Sequence, residues 1–156
     1  MLGTAKEIMT TEVVSIGLND NLEKAVKLLA DNNISGLPVV DDSNRVIGII
    51  SESDIVKFSS KLQIVSFFGS SGWISPYTDV STLASFSKGY DLLPKTKVKE
   101  IMTEKVITVQ ETTAGEEIAR ILSKKDINRL PVTDKNGGLV GIITRSNLIN
   151  HMAKQK

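Results

Sequence analysis

One segment of about 50 residues occurs twice in this chain, and the two copies align without a gap. Three pairs of motifs define the repeat: Lys6–Thr10 with Lys99–Thr103, Ile34–Asp41 with Ile127–Asp134, and Gly48–Asp54 with Gly141–Asn147. Roughly a third of the aligned positions are identical, and most others keep their apolar or polar character. A unit of this size buries too little surface to be stable alone. The sequence therefore predicts two repeats that pack against each other, with clefts at a pseudo-twofold contact.

Each repeat shows the same order of expected elements, namely strand, helix, strand, strand and helix. The expected segments are first strands at 13–16 and 106–109, helices capped by Asp20 and Thr113, and hairpin strands at 37–40, 46–50, 130–133 and 139–143. The last helices are expected to begin at Ser53 and Ser146, with Ile55–Val56 and Leu148–Ile149 facing inward. The pattern predicts an α/β (α+β) fold of two pseudo-twofold-related β-α-β-β-α units packed through their sheets.

The segment 59–96 has no counterpart inside a repeat, which divides the chain into a first repeat at 1–58, this insertion, and a second repeat at 97–156. Every aromatic residue of the chain lies between 58 and 90. The stretch 66–76 is rich in serine, glycine and aromatic residues, and this composition predicts a loop. Because long connections are usually functional or mobile, the insertion is a second candidate for a functional element.

Composition excludes several classes of protein. The chain is 40% hydrophobic and 24% charged, with a net charge of +1, so no global field favours nucleic acid or an anionic membrane. It contains no cysteine, and no segment approaches the about 20 apolar residues that a membrane span needs. His151 is the single histidine and has no second metal-ligating residue beside it. We therefore expect a cytoplasmic protein without a metal, a cofactor, a catalytic constellation or a nucleic-acid partner.

The repeated motifs resemble the CBS domain, a module named after cystathionine β-synthase that occurs in tandem pairs. The resemblance rests on the entry motif Lys6–Thr10, the strand Leu37–Val39 and the ending Gly48–Asp54, each present twice. It implies a stand-alone regulatory or sensor module, not an enzyme, that binds an adenosine nucleotide in clefts between the two repeats. AMP, ADP, ATP and S-adenosylmethionine all remain open as ligands. A homodimer and an unidentified regulated protein are the expected partners.

The family's nucleotide motif maps onto Ser51, Glu52, Ser53 and Asp54. In the family, the aspartate accepts hydrogen bonds from both ribose hydroxyls, and an ionised carboxylate offers the two oxygens that this requires. Ser51 and Ser53 would add donors at a helix start, where free backbone N–H groups favour a phosphate. The alternative is that Ser53 and Asp54 only cap a surface helix.

In the second repeat the same motif reads Thr144, Arg145, Ser146 and Asn147. The amide of Asn147 offers one acceptor oxygen and no charge, so we expect this cleft to bind more weakly, to bind another ligand or to be empty. Thr144 would contribute a hydroxyl, and Arg145 is a candidate for phosphate binding.

Arg129 is the sharpest difference between the halves, because its counterpart is Gly36. Related proteins, such as the regulatory subunit of the AMP-activated kinase, use an arginine at this place for phosphate, which the guanidinium fork binds bidentately. The alternative is a solvated arginine at a strand end. Six more residues are ligand candidates: Ile34, Pro38, Ile127 and Pro131 as apolar contacts to a base, and Ser15 and Thr108 as contacts to base or phosphate.

A different function class stays open beside nucleotide binding. The repeats would then form a dimerisation or protein-interaction scaffold without a ligand, and the insertion would bind the partner. Asp54 and Arg129 favour the nucleotide hypothesis. The aromatic cluster favours the interface, because aromatic residues are enriched there; its members are Phe67, Phe68, Trp73 and Tyr77.

Overall fold

The computed structural model describes residues 1–68 and 92–155, without the side chains of 61–68. The elements in chain order are α1 (Ala5–Ile8), β1 (Ile16–Gly17), α2 (Leu22–Asp31), β2 (Gly36–Val40), β3 (Val46–Ser51), α3 (Glu52–Phe68), α4 (Val98–Ile101), β4 (Val109–Gln110), α5 (Gly115–Lys124), β5 (Arg129–Thr133), β6 (Leu139–Thr144) and α6 (Arg145–Lys154). They form two three-stranded sheets, ordered β1-β2-β3 and β4-β5-β6. The expected mixed α/β architecture with an internal repeat is confirmed.

The first strand of each repeat is shorter and later than the sequence predicts. Instead of 13–16 and 106–109, the strands cover Ile16–Gly17 and Val109–Gln110. Each pairs in parallel with the next strand of its repeat, over two residues only. The β-branched residues before them lie outside the ladder. A β-branched run indicates an extended backbone, but the length of the strand depends on how far its partner follows it.

The helix caps also differ from the expectation. Asn21, not Asp20, caps α2, because Asn21 Oδ1 accepts a hydrogen bond from Lys24 N at 2.9 Å. Asp20 instead pairs with Lys24 Nζ at 3.1 Å. In the second repeat, Thr113 Oγ1 accepts from Gln110 N at 3.1 Å and so stabilises the turn after β4. The cap of α5 makes no side-chain hydrogen bond.

The last helix of each repeat begins one residue before the serine expected to start it. The helices α3 and α6 start at Glu52 and Arg145. Leu148 is buried, as expected, at 8% exposure. Val56 and Ile149 are wrong as inward-facing residues, because they are 65% and 62% exposed. Val56 follows the half-buried Ile55, and Ile149 follows the buried Leu148. Consecutive residues of a helix lie on different faces, so both pairs cannot face inward.

The helix α3 continues to Phe68, so 66–68 are helical where the composition predicted a loop. Helical hydrogen bonding continues from the preceding turns, and serine and aromatic residues tolerate it. The rest of the insertion, 69–91, lies outside the described residues, as do Trp73 and Tyr77 of the aromatic cluster.

The helix α1 packs into the core of the second repeat, although it precedes the first repeat in sequence. Ala5 is 0% and Ile8 is 5% exposed. Both belong to one apolar cluster with Val109, Ile118, Leu122, Leu130, Val132, Ile143 and Leu148. Backbone hydrogen bonds fix the helix there, including Ala5 N to Thr113 O at 2.8 Å. The N-terminal helix therefore completes the core that β4, β5, β6, α5 and α6 begin.

The residues before α1 cross the start of α5 at close range. Gly115 N donates to Gly3 O at 2.8 Å, and Leu2 N donates to Glu116 Oε1 at 2.8 Å. The second bond lowers the pKa of the Glu116 carboxyl. A Cβ on Gly115 would lie 2.5 Å from Leu2 Cβ and 2.8 Å from Leu2 O, so this approach requires glycine.

The segment around α4 makes the equivalent contact with the turn before α2 and with the first residue of that helix. Val98 is 0% exposed, and its N–H donates to Asp20 O at 2.8 Å. Leu22 N donates to Thr96 O at 2.9 Å, as Gly115 N does to Gly3 O in the other copy. The short helix that begins each repeat therefore contacts the other repeat: α1 the second and α4 the first. We call α1 and α4 the entry helices and this arrangement their exchange.

The exchange defines two compact units that do not follow the repeat boundaries. One unit comprises Met1–Gly17, Pro38–Ile49 and Glu104–Lys156, and the other Leu18–Leu37 and Ile50–Thr103, apart from the residues outside the description. Inside the first unit the hairpin turns of both repeats are joined. Leu139 N donates to Asn44 O at 3.0 Å, and Asn44 Nδ2 donates to Leu139 O at 3.2 Å. Asn44 has a φ of 62°, a left-handed conformation that asparagine tolerates.

Candidate functional site

The first motif lies where β3 ends and α3 begins, and its two polar side chains cap the helix reciprocally. Asp54 Oδ2 accepts from Ser51 N at 2.9 Å and from Ser51 Oγ at 3.0 Å. Asp54 N donates to Ser51 Oγ at 3.3 Å. This is a capping box, in which the acidic residue returns to the backbone of the cap. Asp54 therefore takes part in capping α3, with Ser51 and not Ser53 as its partner.

Capping uses only one of the two carboxylate oxygens of Asp54. The side chain is half-buried, and no donor among the described residues reaches Oδ1. An ionised carboxylate has about four lone-pair sites, so this one can still accept hydrogen bonds from a ligand. Ser53 lies exposed on the first turn of α3. The motif is thus both a helix cap and an available anionic acceptor.

The backbone N–H groups at this helix start are partly used. Glu52 N donates to Ser35 O at 2.9 Å, and Asp54 N is occupied by Ser51 Oγ. Two of the N–H groups that the sequence offered to a phosphate are therefore engaged inside the protein. The strongest remaining feature of the first motif is its carboxylate.

The second motif has the same cap but a different connection. Asn147 Oδ1 accepts from Thr144 N at 2.8 Å and from Thr144 Oγ1 at 2.9 Å, which reproduces the first motif. In addition, Asn147 Nδ2 donates to Thr10 Oγ1 at 3.2 Å. Sequence reasoning missed Thr10. Its position as the last residue of a repeated motif was the one signal that could have indicated it.

Arg145 is engaged with the end of α5 and the turn that follows it. Its Nε donates to Ile127 O at 3.1 Å, and its Nη2 donates to Leu122 O at 3.1 Å. Nη2 also lies 3.3 Å from Asp126 Oδ1. These acceptors include a carbonyl from the last turn of a helix, which cationic side chains commonly satisfy. A phosphate at Arg145 would have to share a guanidinium that already stabilises this turn.

Arg129 is the first residue of β5 and lies opposite Thr144 in the antiparallel register with β6. It is half-buried, whereas its counterpart Gly36, the first residue of β2, is buried. The β5–β6 pairing therefore places Arg129 beside Thr144, the N-cap of α6, on the neighbouring strand.

The remaining sequence candidates differ in exposure. Ile34, Ile127 and Ser15 are half-buried and Thr108 is exposed, so these four retain surface for a ligand. Pro38 and Pro131 are among the fully buried residues. Their apolar character is explained by the interior of the protein, without contact to a ligand. Both lie in the middle of β2 and β5, where side chains alternate between the two faces of the sheet.

The part of the chain that the structure describes has neither a cluster of metal-ligand side chains nor a helix that could span a membrane. Across 1–68 and 92–155, no three side chains of histidine, cysteine, aspartate and glutamate are grouped as metal ligands. Over the same residues, no helix combines the length and the apolar character that crossing a membrane requires.

Comparison with known proteins places these motifs in a family. The family model of the CBS domain matches residues 5–61 and 98–154. An uncharacterized protein of Methanocaldococcus jannaschii is 33% identical over an alignment of 156 positions, which covers 92% of this chain and 88% of the relative. The chloroplastic CBS domain-containing protein CBSX1 of Arabidopsis thaliana is 36% identical over 132 residues. These cover 82% of this chain but 54% of CBSX1, so the chain spans about half of that relative.

Solved structures agree with this result over nearly the whole chain. The crystal structure of CBSX2 in complex with AMP has a TM-score of 0.73 at 25% identity, and 98% of each chain is covered. The CBS domain pair of protein MJ0100, in complex with 5′-methylthioadenosine and S-adenosyl-L-methionine, has a TM-score of 0.68 at 25% identity, again covering 98% of each chain. With two matched repeats and these structural relatives, the chain belongs to the CBS-domain family and contains a CBS domain pair.

Proposed function

We propose that this chain is a regulatory module that binds an adenosine ligand through the Asp54 motif. The observation that carries the proposal is the half-buried carboxylate of Asp54, whose Oδ1 receives no hydrogen bond from the described residues. Two structural relatives support it, since one is described with AMP and the other with S-adenosyl-L-methionine and 5′-methylthioadenosine. All three small molecules carry adenine on a ribose that keeps its 2′- and 3′-hydroxyls.

The ribose diol is the part of adenosine that suits this carboxylate. Two adjacent hydroxyls are donors, and Asp54 Oδ1, with two lone-pair sites, can accept a hydrogen bond from each. Its hydrogen bond to Ser51 holds the carboxylate in one orientation, which reduces the entropy lost when a ligand binds. Ile34, half-buried in the same compact unit, is an apolar candidate for contact with the base. The ligand would regulate by favouring one conformation that a partner recognises.

A thermal-shift panel with AMP, ATP, adenosine and S-adenosylmethionine tests the proposal. A ligand at a hundred times its Kd is expected to stabilise the protein by about 2.7 kcal/mol, which raises Tm by roughly 5–10 °C for a chain of this length. A 2′-deoxy analogue of the best ligand is the matched control and should shift Tm less, because one diol donor is missing. If no adenosine compound shifts Tm, the proposed function is wrong.

We also propose that Arg129 is a phosphate contact, as its guanidinium chemistry suggests. The variant Arg129→Ala should then lose the preference for AMP over adenosine in the same panel. An equal loss of affinity for both compounds would mean that Arg129 acts on the fold.

Self-association is a second candidate function, favoured by two exposed apolar residues at equivalent positions of the repeats. Val56 on α3 and Ile149 on α6 are 65% and 62% exposed. Contiguous exposed apolar patches mark interaction surfaces, and we propose that each of these side chains contributes to a surface that contacts another copy of the chain. In sedimentation velocity we expect a dimer that the double variant Val56→Ser, Ile149→Ser weakens. A monomeric parent chain would contradict this candidate.

A further inference from the structure

The two equivalent motifs differ in how many of their polar atoms are already used. In both, one side-chain oxygen at the third position of the helix accepts from the backbone N–H and the hydroxyl of the cap. The second carboxylate oxygen of Asp54 has no donor within the described residues. The second polar atom of Asn147 is the amide nitrogen, and it donates to Thr10 Oγ1. Every polar atom of the Asn147 side chain therefore has a partner.

Thr10 is held in place independently of this hydrogen bond. Thr10 N donates to Ile142 O at 2.9 Å, and Ile142 N donates to Thr10 O at 3.0 Å, so the residue is bridged to β6. The backbone of Thr10 is thereby held beside the start of α6. The amide of Asn147 joins the N-terminal segment to this helix without any need for the threonine to move.

This geometry gives a physical reason for asparagine at position 147. An aspartate there would cap α6 equally well, but an ionised carboxylate has no N–H to donate to Thr10. A ribose diol needs acceptor oxygens, and the single oxygen of the amide already accepts two hydrogen bonds. To bind a ribose hydroxyl through Nδ2, the protein would first have to break the bond to Thr10.

We infer that Asn147 and Thr10 form an internal tie that removes the second motif from ligand binding, so that each chain binds one adenosine ligand, at the Asp54 motif. The ligand half of this inference rests on the proposed function. The tie rests on the hydrogen bonds alone, and it assigns to Thr10 a positioning role that keeps the amide of Asn147 occupied.

A double-mutant cycle tests the tie without any ligand. Thr10→Val removes the hydroxyl and keeps the shape of the side chain. One lost hydrogen bond should lower Tm by about 2–4 °C in the parent chain, and should have no effect in the Asn147→Ala background. Thr11→Val is the matched control, because it removes the neighbouring exposed hydroxyl, which makes no hydrogen bond to the described residues. An equal Tm shift in both backgrounds, or none in either, overturns the tie.

Calorimetric titration with AMP and with S-adenosylmethionine tests the ligand half. We expect one molecule bound per chain, with an affinity that Thr10→Val and Asn147→Ala leave within about twofold of the parent value. Two molecules per chain, or a large loss of affinity in Asn147→Ala, would overturn the inference while the proposed function stands. If no compound of the thermal-shift panel binds but the cycle shows coupling, the proposed function fails and the tie is supported.

Discussion

Replacement of Ile8 by alanine is expected to lower the free energy of unfolding by about 2–5 kcal/mol. The side chain is 5% exposed and packs in the cluster that contains Ile118, Leu130 and Ile143. Truncation removes apolar surface and leaves a cavity, because β-strands on one side and helices on the other limit how far the site can collapse. Urea denaturation, with the m-value compared between variants, measures the loss.

Two control variants separate this effect from a general weakness of short helices. Lys6→Ala changes an exposed side chain of the same helix and should alter stability by less than about 0.5 kcal/mol. Ile101→Ala truncates the equivalent residue of α4, which is only half-buried, and should cost less than Ile8→Ala. If Ile8→Ala costs no more than Lys6→Ala, α1 does not contribute to the core of the second repeat.

The exchange of entry helices shows where prediction from the sequence ends. The apolar residues of α1 indicate that this short helix packs against a core, but they do not indicate which of two similar cores. Ala5 and Ile8 have close counterparts in Val98 and Ile101, so either helix fits either repeat by residue type. The choice depends on backbone connections such as Gly115 N to Gly3 O, which join residues far apart in sequence.

The hairpins were predictable because their signals are local. The apolar runs, the aspartate before each turn and the glycine or asparagine within it all act over a few residues. Asp41 Oδ1, for example, accepts from the backbone N–H groups of Ser43 and Arg45, both at 2.9 Å. In the second repeat, Asp134 Oδ1 accepts from the backbone N–H groups at the equivalent positions, Asn136 and Gly138. The contact between the two turns through Asn44 was not predictable, since it depends on the tertiary arrangement.

The candidate site shows the same division between local and distant contacts. The motif around Asp54 was found from its residues because its cap partner lies three positions away. The bond from Asn147 to Thr10 joins residues that are 137 positions apart, and no local pattern indicates it. The sequence did show that Asn147 departs from the aspartate of the first repeat. The structure adds that the amide nitrogen of Asn147 donates a hydrogen bond to Thr10, which a carboxylate could not do.

Asp54→Asn is expected to weaken the binding of AMP by about 10- to 150-fold, the range that corresponds to one hydrogen bond to a charged group. The second repeat supplies the reason why this substitution tests binding and not folding. Asn147 Oδ1 accepts two hydrogen bonds from Thr144, and these are equivalent to the two that Asp54 Oδ2 accepts from Ser51. An amide is therefore compatible with this type of helix start. The variant should therefore keep the cap and lose the anionic acceptor. Calorimetric titration gives the affinity, and thermal denaturation should give a Tm close to that of the parent.

Two further variants complete this comparison. Asp54→Ala removes the acceptor and the bonds that Asp54 Oδ2 accepts from Ser51, while Ser51 Oγ still accepts from the backbone N–H of residue 54. It should weaken AMP binding at least as much as Asp54→Asn and also lower Tm, because a lost hydrogen bond costs about 0.5–1.5 kcal/mol. Asn147→Ala should lower Tm by a similar amount and leave the AMP affinity nearly unchanged. If Asn147→Ala reduces the affinity as strongly as Asp54→Ala, the carboxylate of Asp54 is not the principal acceptor for the ligand. Because the two residues occupy the same place in their repeats, this contrast separates the two motifs, whereas Asp54→Asn isolates the effect of charge.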